Sequence, residues 1–99
     1  MNVKIQSVHF DADKKLLEFI QEKVEKLNQY YDGIITSDVT LRLDKSDDSL
    51  NKIAEIRLHI PGNDLFAKKQ CKTFEEAVDM SLGALKTQVK KHKEKIKGL

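Results

Sequence analysis

The chain has 99 residues, 39% of them hydrophobic and 34% charged, which bounds it to one small, well-solvated domain with a single core. One proline and four glycines exclude a low-complexity or disordered chain. No apolar run approaches the roughly 18 residues of a membrane span, no signal-peptide pattern opens the sequence, and the single Cys71 excludes an intrachain disulfide or a cysteine-built zinc site and points to a reducing compartment.

Net charge is only +2, but it is unevenly placed. Residues 80–99 hold six lysines against one glutamate, while residues 1–79 hold twelve basic and fifteen acidic side chains. A mildly acidic body ending in a strongly basic segment predicts a polyanionic partner.

Residues 2–8 alternate as a strand does. Asp13 is placed to cap a helix from Lys14 to Tyr31, whose apolar stripe is Leu16, Leu17, Ile20, Val24, Leu27 and Tyr31; Gly33 is expected to end it. Residues 37–45 put Val39, Leu41 and Leu43 on one strand face and Thr40, Arg42 and Asp44 on the other. Ser46 to Asn51 reads as a polar loop with an acidic tip. Residues 52–60 set Ala54, Ile56, Leu58 and Ile60 against Glu55, Arg57 and His59. Pro61-Gly62-Asn63-Asp64 is a turn signal, and residues 65–72 form a weaker strand whose Lys68 and Lys69 suit a sheet edge. Thr73-Phe74-Glu75-Glu76 resembles a capping box before a long helix, with Phe74, Val78, Ser81, Leu82, Leu85, Val89, His92 and Ile96 on one side.

The order β-α-β-β-β-α predicts an α+β domain over residues 1–99: a four-stranded mixed sheet with two helices packed on one face. The first β-α-β should be a right-handed crossover between parallel strands, and the short later connections should make antiparallel pairs. The opposite sheet face is expected to be polar and to meet water.

The last helix carries the strongest functional signal. At about 100° per residue, Lys86, Lys90, Lys93 and Lys97 fall on one flank of its apolar stripe, and Lys91 and Lys95 fall on the other. Complementing the helix dipole favours cations in a last turn but does not call for six of them, and like charges at i,i+4 repel. A solvated helix end is the bland explanation; a surface that tracks phosphates is the functional one. The first helix repeats the theme, with Lys15, Phe19, Lys23, Lys26 and Tyr30 on one flank and Glu18, Glu22 and Glu25 on the far side. Aromatic rings among lysines suit nucleic acid, although Phe19 fits a core edge better than Tyr30 does. Strand alternation accounts for Arg42, Arg57, His59 and Lys68. Lys69 and Lys72 would extend the basic patch towards the second helix. His9 to Asp13 is a weak metal-ligand pattern, because Asp13 is better used as a cap, and His92 reads as a packed or edge histidine. No nucleophile motif, phosphate loop or carboxylate pair appears, so neither an enzyme nor a cofactor or metal is expected.

The chain resembles the ribosome hibernation-promoting factor family (ribosome-associated inhibitors, or sigma-factor modulation proteins) in its short form. The resemblance spans nearly the whole chain and rests on Phe19-Ile20-Gln21-Glu22-Lys23-Val24-Glu25-Lys26-Leu27, Tyr30-Tyr31-Asp32, Ala77-Val78-Asp79, and the stretch Leu85 to Lys95 with its Lys-His-Lys-Glu-Lys ending at Lys91 to Lys95. It implies a bacterial, cytoplasmic protein of slow growth, stationary phase or stress, with the same β-α-β-β-β-α fold. Such proteins bind the small ribosomal subunit in the mRNA and tRNA channel at the A and P sites and inhibit translation. Their basic helices contact ribosomal RNA, which here implies Lys23 and Lys26 on the first helix and Lys86, Lys90, Lys91, Lys93 and Lys95 on the second; Tyr30 and Lys97 join them as candidate RNA-binding residues from their helical positions. One departure is Glu75, where many members have tyrosine. Long-form members add a C-terminal domain that dimerises ribosomes. Whether this short form promotes dimers with a helper factor, or silences single ribosomes only, is left open by the sequence. A general RNA-binding module of double-stranded-RNA type is the alternative reading, and a protein–protein module docking an acidic partner is a third.

Overall fold

The structure, a computed structural model, describes residues 2–45 and 49–97, with residues 96 and 97 described by their backbone alone. Its elements are β1 (Asn2–Val8), α1 (Lys14–Tyr30), β2 (Thr36–Leu43), β3 (Lys52–Ile60), β4 (Asn63–Cys71) and α2 (Phe74–Lys97). The strands form one sheet in the order β1-β2-β3-β4. β1 runs parallel to β2, while β2–β3 and β3–β4 are antiparallel, so the mixed four-stranded sheet expected from the sequence is present. The tip of the β2–β3 loop, Ser46 to Asp48, lies outside the described residues.

One sheet face and both helices share a single core. Val39, Leu41, Ala54, Ile56, Leu58, Ile60, Leu65, Ala67 and Cys71 meet Leu16, Ile20, Val24 and Leu27 of α1 and Phe74, Ala77, Val78, Leu82, Leu85 and Val89 of α2. Most of the expected helical stripes and strand face are core, with exceptions: Leu17 and Leu43 are exposed, Tyr31 and His92 are half-buried, and the Ile96 side chain lies outside the described residues. Ser81 lies within it, fully buried, with its hydroxyl directed at the Ala54 carbonyl oxygen 3.4 Å away. Burial pushes the Cys71 thiol above its ordinary pKa and Glu76 adds to the shift, so the group stays a neutral core side chain 3.4 Å from Met80 Sδ.

Several local expectations need adjustment. Asp13 does cap α1: its Oδ1 accepts from the Leu16 amide at 2.8 Å. The helix stops one residue early, because Tyr31 is extended (φ −144°, ψ 112°). Gly33 is not a left-handed cap; a Cβ there would fall 2.5 Å from the far end of the Tyr31 ring, which would have to shift to admit it. The β3–β4 turn is only Pro61-Gly62, since Ile60 pairs directly with Asn63 and Gly62 has φ +78°. Asn63 and Asp64 therefore belong to β4. Thr73 supplies half of a capping box, with Oγ1 accepting from the Glu76 amide at 3.1 Å.

At about 1.5 Å per residue, the 24 residues of α2 span roughly 36 Å. Among the described side chains of α2 the last fully buried one is Val89; His92 and Lys93 are half-buried beside the end of α1, and the helix runs on to Lys97. Leu85, fully buried at the meeting of α2 with the core, anchors the helix. Leu85→Ala should cost about 2–5 kcal/mol of stability, read as a lowered urea midpoint with little change in slope.

Candidate nucleic-acid interface

α1 and α2 lie against each other on the sheet, and their facing flanks carry the predicted lysines. Tyr30, at the C-terminal end of α1, is the centre of the arrangement. Lys86 Nζ sits 5.0 Å and Lys93 Nζ 4.6 Å from the centroid of its ring. Lys93 Nζ also donates to the Tyr30 carbonyl oxygen at 3.5 Å. That carbonyl belongs to the unsatisfied, electronegative end of α1, whose own last turn has no basic residue. A lysine from α2 thus complements the dipole of α1, and one ring attracts two ammonium groups that would otherwise only repel.

Between the helices runs a cleft of about 350 Å³ lined by Lys23, Lys26, Tyr30, Asp79, Gly83 and Lys86, with Leu27 and Leu82 at its base. Lys23 Nζ is 3.8 Å from Asp79 and 5.5 Å from the Phe19 ring centroid; Phe19 itself packs against the core. Lys26 pairs loosely with Glu22 at 4.0 Å. These exposed pairs contribute little stability and leave both ammonium groups available. Gly83 has nothing within 4 Å of where a Cβ would stand. A mid-helix glycine costs helix stability, and packing does not require one here, yet it keeps bare backbone on the cleft wall.

The structure brings together Lys23, Lys26, Tyr30, Lys86 and Lys93, and exposed Lys90 shares the helical flank of Lys86 and Lys93. Lys91 and Lys95 lie apart, on the flank of Gln88, whose side chain donates to the Phe66 carbonyl oxygen of β4 at 2.9 Å. The Lys97 side chain lies outside the described residues. His92 packs edge-on against Tyr31, ring centroids 5.9 Å apart, as an edge histidine. In the weak metal pattern, Phe10 is stacked on Phe74 at 4.9 Å and Asp13 serves the cap.

The outer sheet face holds a network whose members strand alternation accounts for one by one without joining them. His59 Nε2 is 2.8 Å from Asp38 Oδ2, and Nδ1 is 3.1 Å from Asp64 Oδ1. Arg57 lies 3.6 Å from Asp64 and stacks over Phe66 at 4.9 Å; Arg42 Nε is 2.9 Å from Glu55. The pairings Asp38 with Arg57 and His59 with Asp64 in the strand register were the available signal. Only the imidazolium can donate from both ring nitrogens; the hydrogen bond to Asp38 is the largest influence and raises the His59 pKa, desolvation opposes it, and the hydrogen bond to Asp64 with the charge of both carboxylates leaves the net shift upward.

Residues 3–97 match the family model described as sigma 54 modulation protein / S30EA ribosomal protein, and the chain belongs to that family. A protein of Pseudomonas putida named ribosome hibernation promoting factor is 29% identical over 99 residues, covering 100% of this chain and 93% of that protein. One of the same name from Escherichia coli K12 is 29% identical over 97 residues, covering 98% of each. The fold is shared with a ribosomal subunit interface protein from Coxiella burnetii (TM-score 0.84, 22% identity, 94% of this chain and 98% of that one). The Protein Y N-terminal domain of Thermus thermophilus is also similar (TM-score 0.78, 25% identity, 93% and 99%).

Two outcomes test these local assignments. Gly83→Ala should raise stability by about 1 kcal/mol in urea denaturation, since the added methyl meets open space. The His59 contribution is fully present below its unfolded pKa near 6.5 and is lost as pH rises through the higher folded value. Wild type should therefore lose more melting temperature than His59→Gln between acidic and mildly alkaline buffer; parallel losses would refute the assignment.

Proposed function

We propose that this protein is a ribosome hibernation factor that binds the small ribosomal subunit in the mRNA and tRNA channel and blocks translation there. The observation that carries the reading is the Tyr30-centred lysine array, built from two helices on one rigid sheet. The names of full-length relatives, ribosome hibernation promoting factor in both Pseudomonas putida and Escherichia coli, point the same way.

The mechanism is steric and electrostatic. Lys23, Lys26, Lys86, Lys90 and Lys93 neutralise ribosomal RNA phosphates and release their counterions, and Tyr30 keeps two of those ammonium groups ordered. Gly83 lets a phosphate backbone come close to the cleft wall. Lys91, Lys95 and Lys97 add attraction from the projecting end of α2, Lys91 and Lys95 from its other flank, without sharing the cleft. The shape of the two-helix face sets placement, as is general for folded RNA. Occupying the channel excludes messenger and transfer RNA, and the action takes place in the bacterial cytoplasm during slow growth, stationary phase or stress. No covalent step, metal or cofactor enters.

Sedimentation with purified small subunits tests this. Binding should be displaced by excess transfer RNA, and five phosphate contacts predict a log–log salt slope of about −3.5 to −4.5. Reversing Lys86, Lys90 and Lys93 together to glutamate should abolish co-sedimentation while leaving the circular dichroism spectrum intact. Unchanged co-sedimentation of that variant would refute the reading. Equal affinity for naked duplex RNA would instead favour a general double-stranded-RNA module.

A further inference from the structure

The flank of α1 opposite the lysines is acidic, and it overhangs an apolar groove at the sheet edge. β1 is a terminal strand, paired only with β2 among the described residues. α1 packs chiefly on α2 and only lightly on β1, which leaves Val3 and Ile5 half-buried and Leu17 37% exposed. Together with Glu18, Gln21, Glu22 and Glu25 they line a groove of about 490 Å³, with no lysine or arginine among the described residues that line it.

The two sheet edges are treated differently. β4 carries Lys68 and Lys69, and Gln88 of α2 donates to its Phe66 carbonyl oxygen. β1 carries a single lysine, Lys4, which lines the opposite sheet face, and among the described residues no side chain bonds its backbone. An undefended edge beside an apolar floor is where an extended segment adds as a further strand.

We propose that this groove binds an extended protein segment with lysine or arginine at every second position, added to the free edge of β1. Alternate side chains of such a segment point to the helix side. There the aliphatic stems of arginine or lysine lie on Val3, Ile5 and Leu17 while the charged heads reach Glu18, Glu22 and Glu25. The intervening side chains fall beside Lys4 and Gln6 on the other face and are uncharged. The acidic rim is available for this. Lys14 and Lys26 approach Glu18 and Glu22 only at 3.8 and 4.0 Å on the exposed surface, and Gln21 holds Glu25 through a 2.7 Å hydrogen bond. The proposal does not depend on ribosomal RNA binding, because it uses the other flank of α1.

The test is a 15N NMR titration of the whole chain with a synthetic peptide alternating arginine and threonine over about seven residues. A peptide of the same composition with its arginines in one block is the control. The expected result is amide shifts confined to residues 2–8 and 17–25, and about tenfold weaker binding of the block peptide. Glu22→Lys with Glu25→Lys should weaken the alternating peptide about tenfold or more, while Glu75→Lys with Glu76→Lys should change it less than about twofold. Leu17→Ser, at a position already exposed, should also weaken it, which attraction between charges alone does not predict. Equal binding of the two peptides, or shifts spread over all acidic surface, would overturn the proposal. So would concentration-dependent shifts of these residues without peptide, which would assign the groove to a second copy of the chain.

Discussion

The seam between α1 and α2 determines where every functional charge on this protein can sit. Ile20, Val24 and Leu27 from one helix and Val78, Leu85 and Val89 from the other are buried in one core over the same sheet face. With those rows fixed, the flank of α1 that bears Lys23, Lys26 and Tyr30 must face the flank of α2 that bears Lys86 and Lys93. Apolar burial, not attraction between charges, brings these cations together. The repulsion that follows is relieved locally by the Tyr30 ring, by the carbonyl end of α1 and by Asp79 beside Lys23.

The same seam divides α1 into two chemically opposite flanks. Lys23 and Lys26 are turned to the cleft with α2, and Glu18, Glu22 and Glu25 are left above β1. The outer sheet face is different again, with cations and carboxylates matched across strands as in His59 with Asp38 and Asp64. One small core therefore presents a basic face, an acidic groove and a self-neutralised face. That separation gives a chain of net charge +2 one face dense in lysine.

Much of this was legible in the sequence because it is local or periodic. The helical spacing of Ile20, Val24 and Leu27, the alternation through Ala54, Ile56 and Leu58, and the Asp13 cap each depend on neighbours in the chain. The split of Lys86, Lys90 and Lys93 from Lys91 and Lys95 follows from helix geometry alone. The role of Tyr30 was not legible in full: its flank could be read, but not that two ammonium groups from α2 would meet its ring. Gly33 invites reading as a left-handed helix cap, but its backbone is not left-handed, and the Tyr31 ring that lies against it is not legible from the sequence. The His59 network depends on strand register, which the two-residue Pro61-Gly62 turn sets. The groove beside β1 depends on α1 leaning towards α2, and no stretch of sequence encodes that by itself.

The proposed function requires that the paired-helix lysine face, and not the sheet, meets the small ribosomal subunit. Lysine-reactivity footprinting tests it most directly, by measuring acetylation of each lysine in the free chain and in the chain bound to purified subunits. Strong protection of Lys23, Lys26, Lys86, Lys90 and Lys93 is expected, with Lys4 and Lys68 on the sheet unchanged. Protection of Lys4 and Lys68 with the helix lysines still reactive would contradict it.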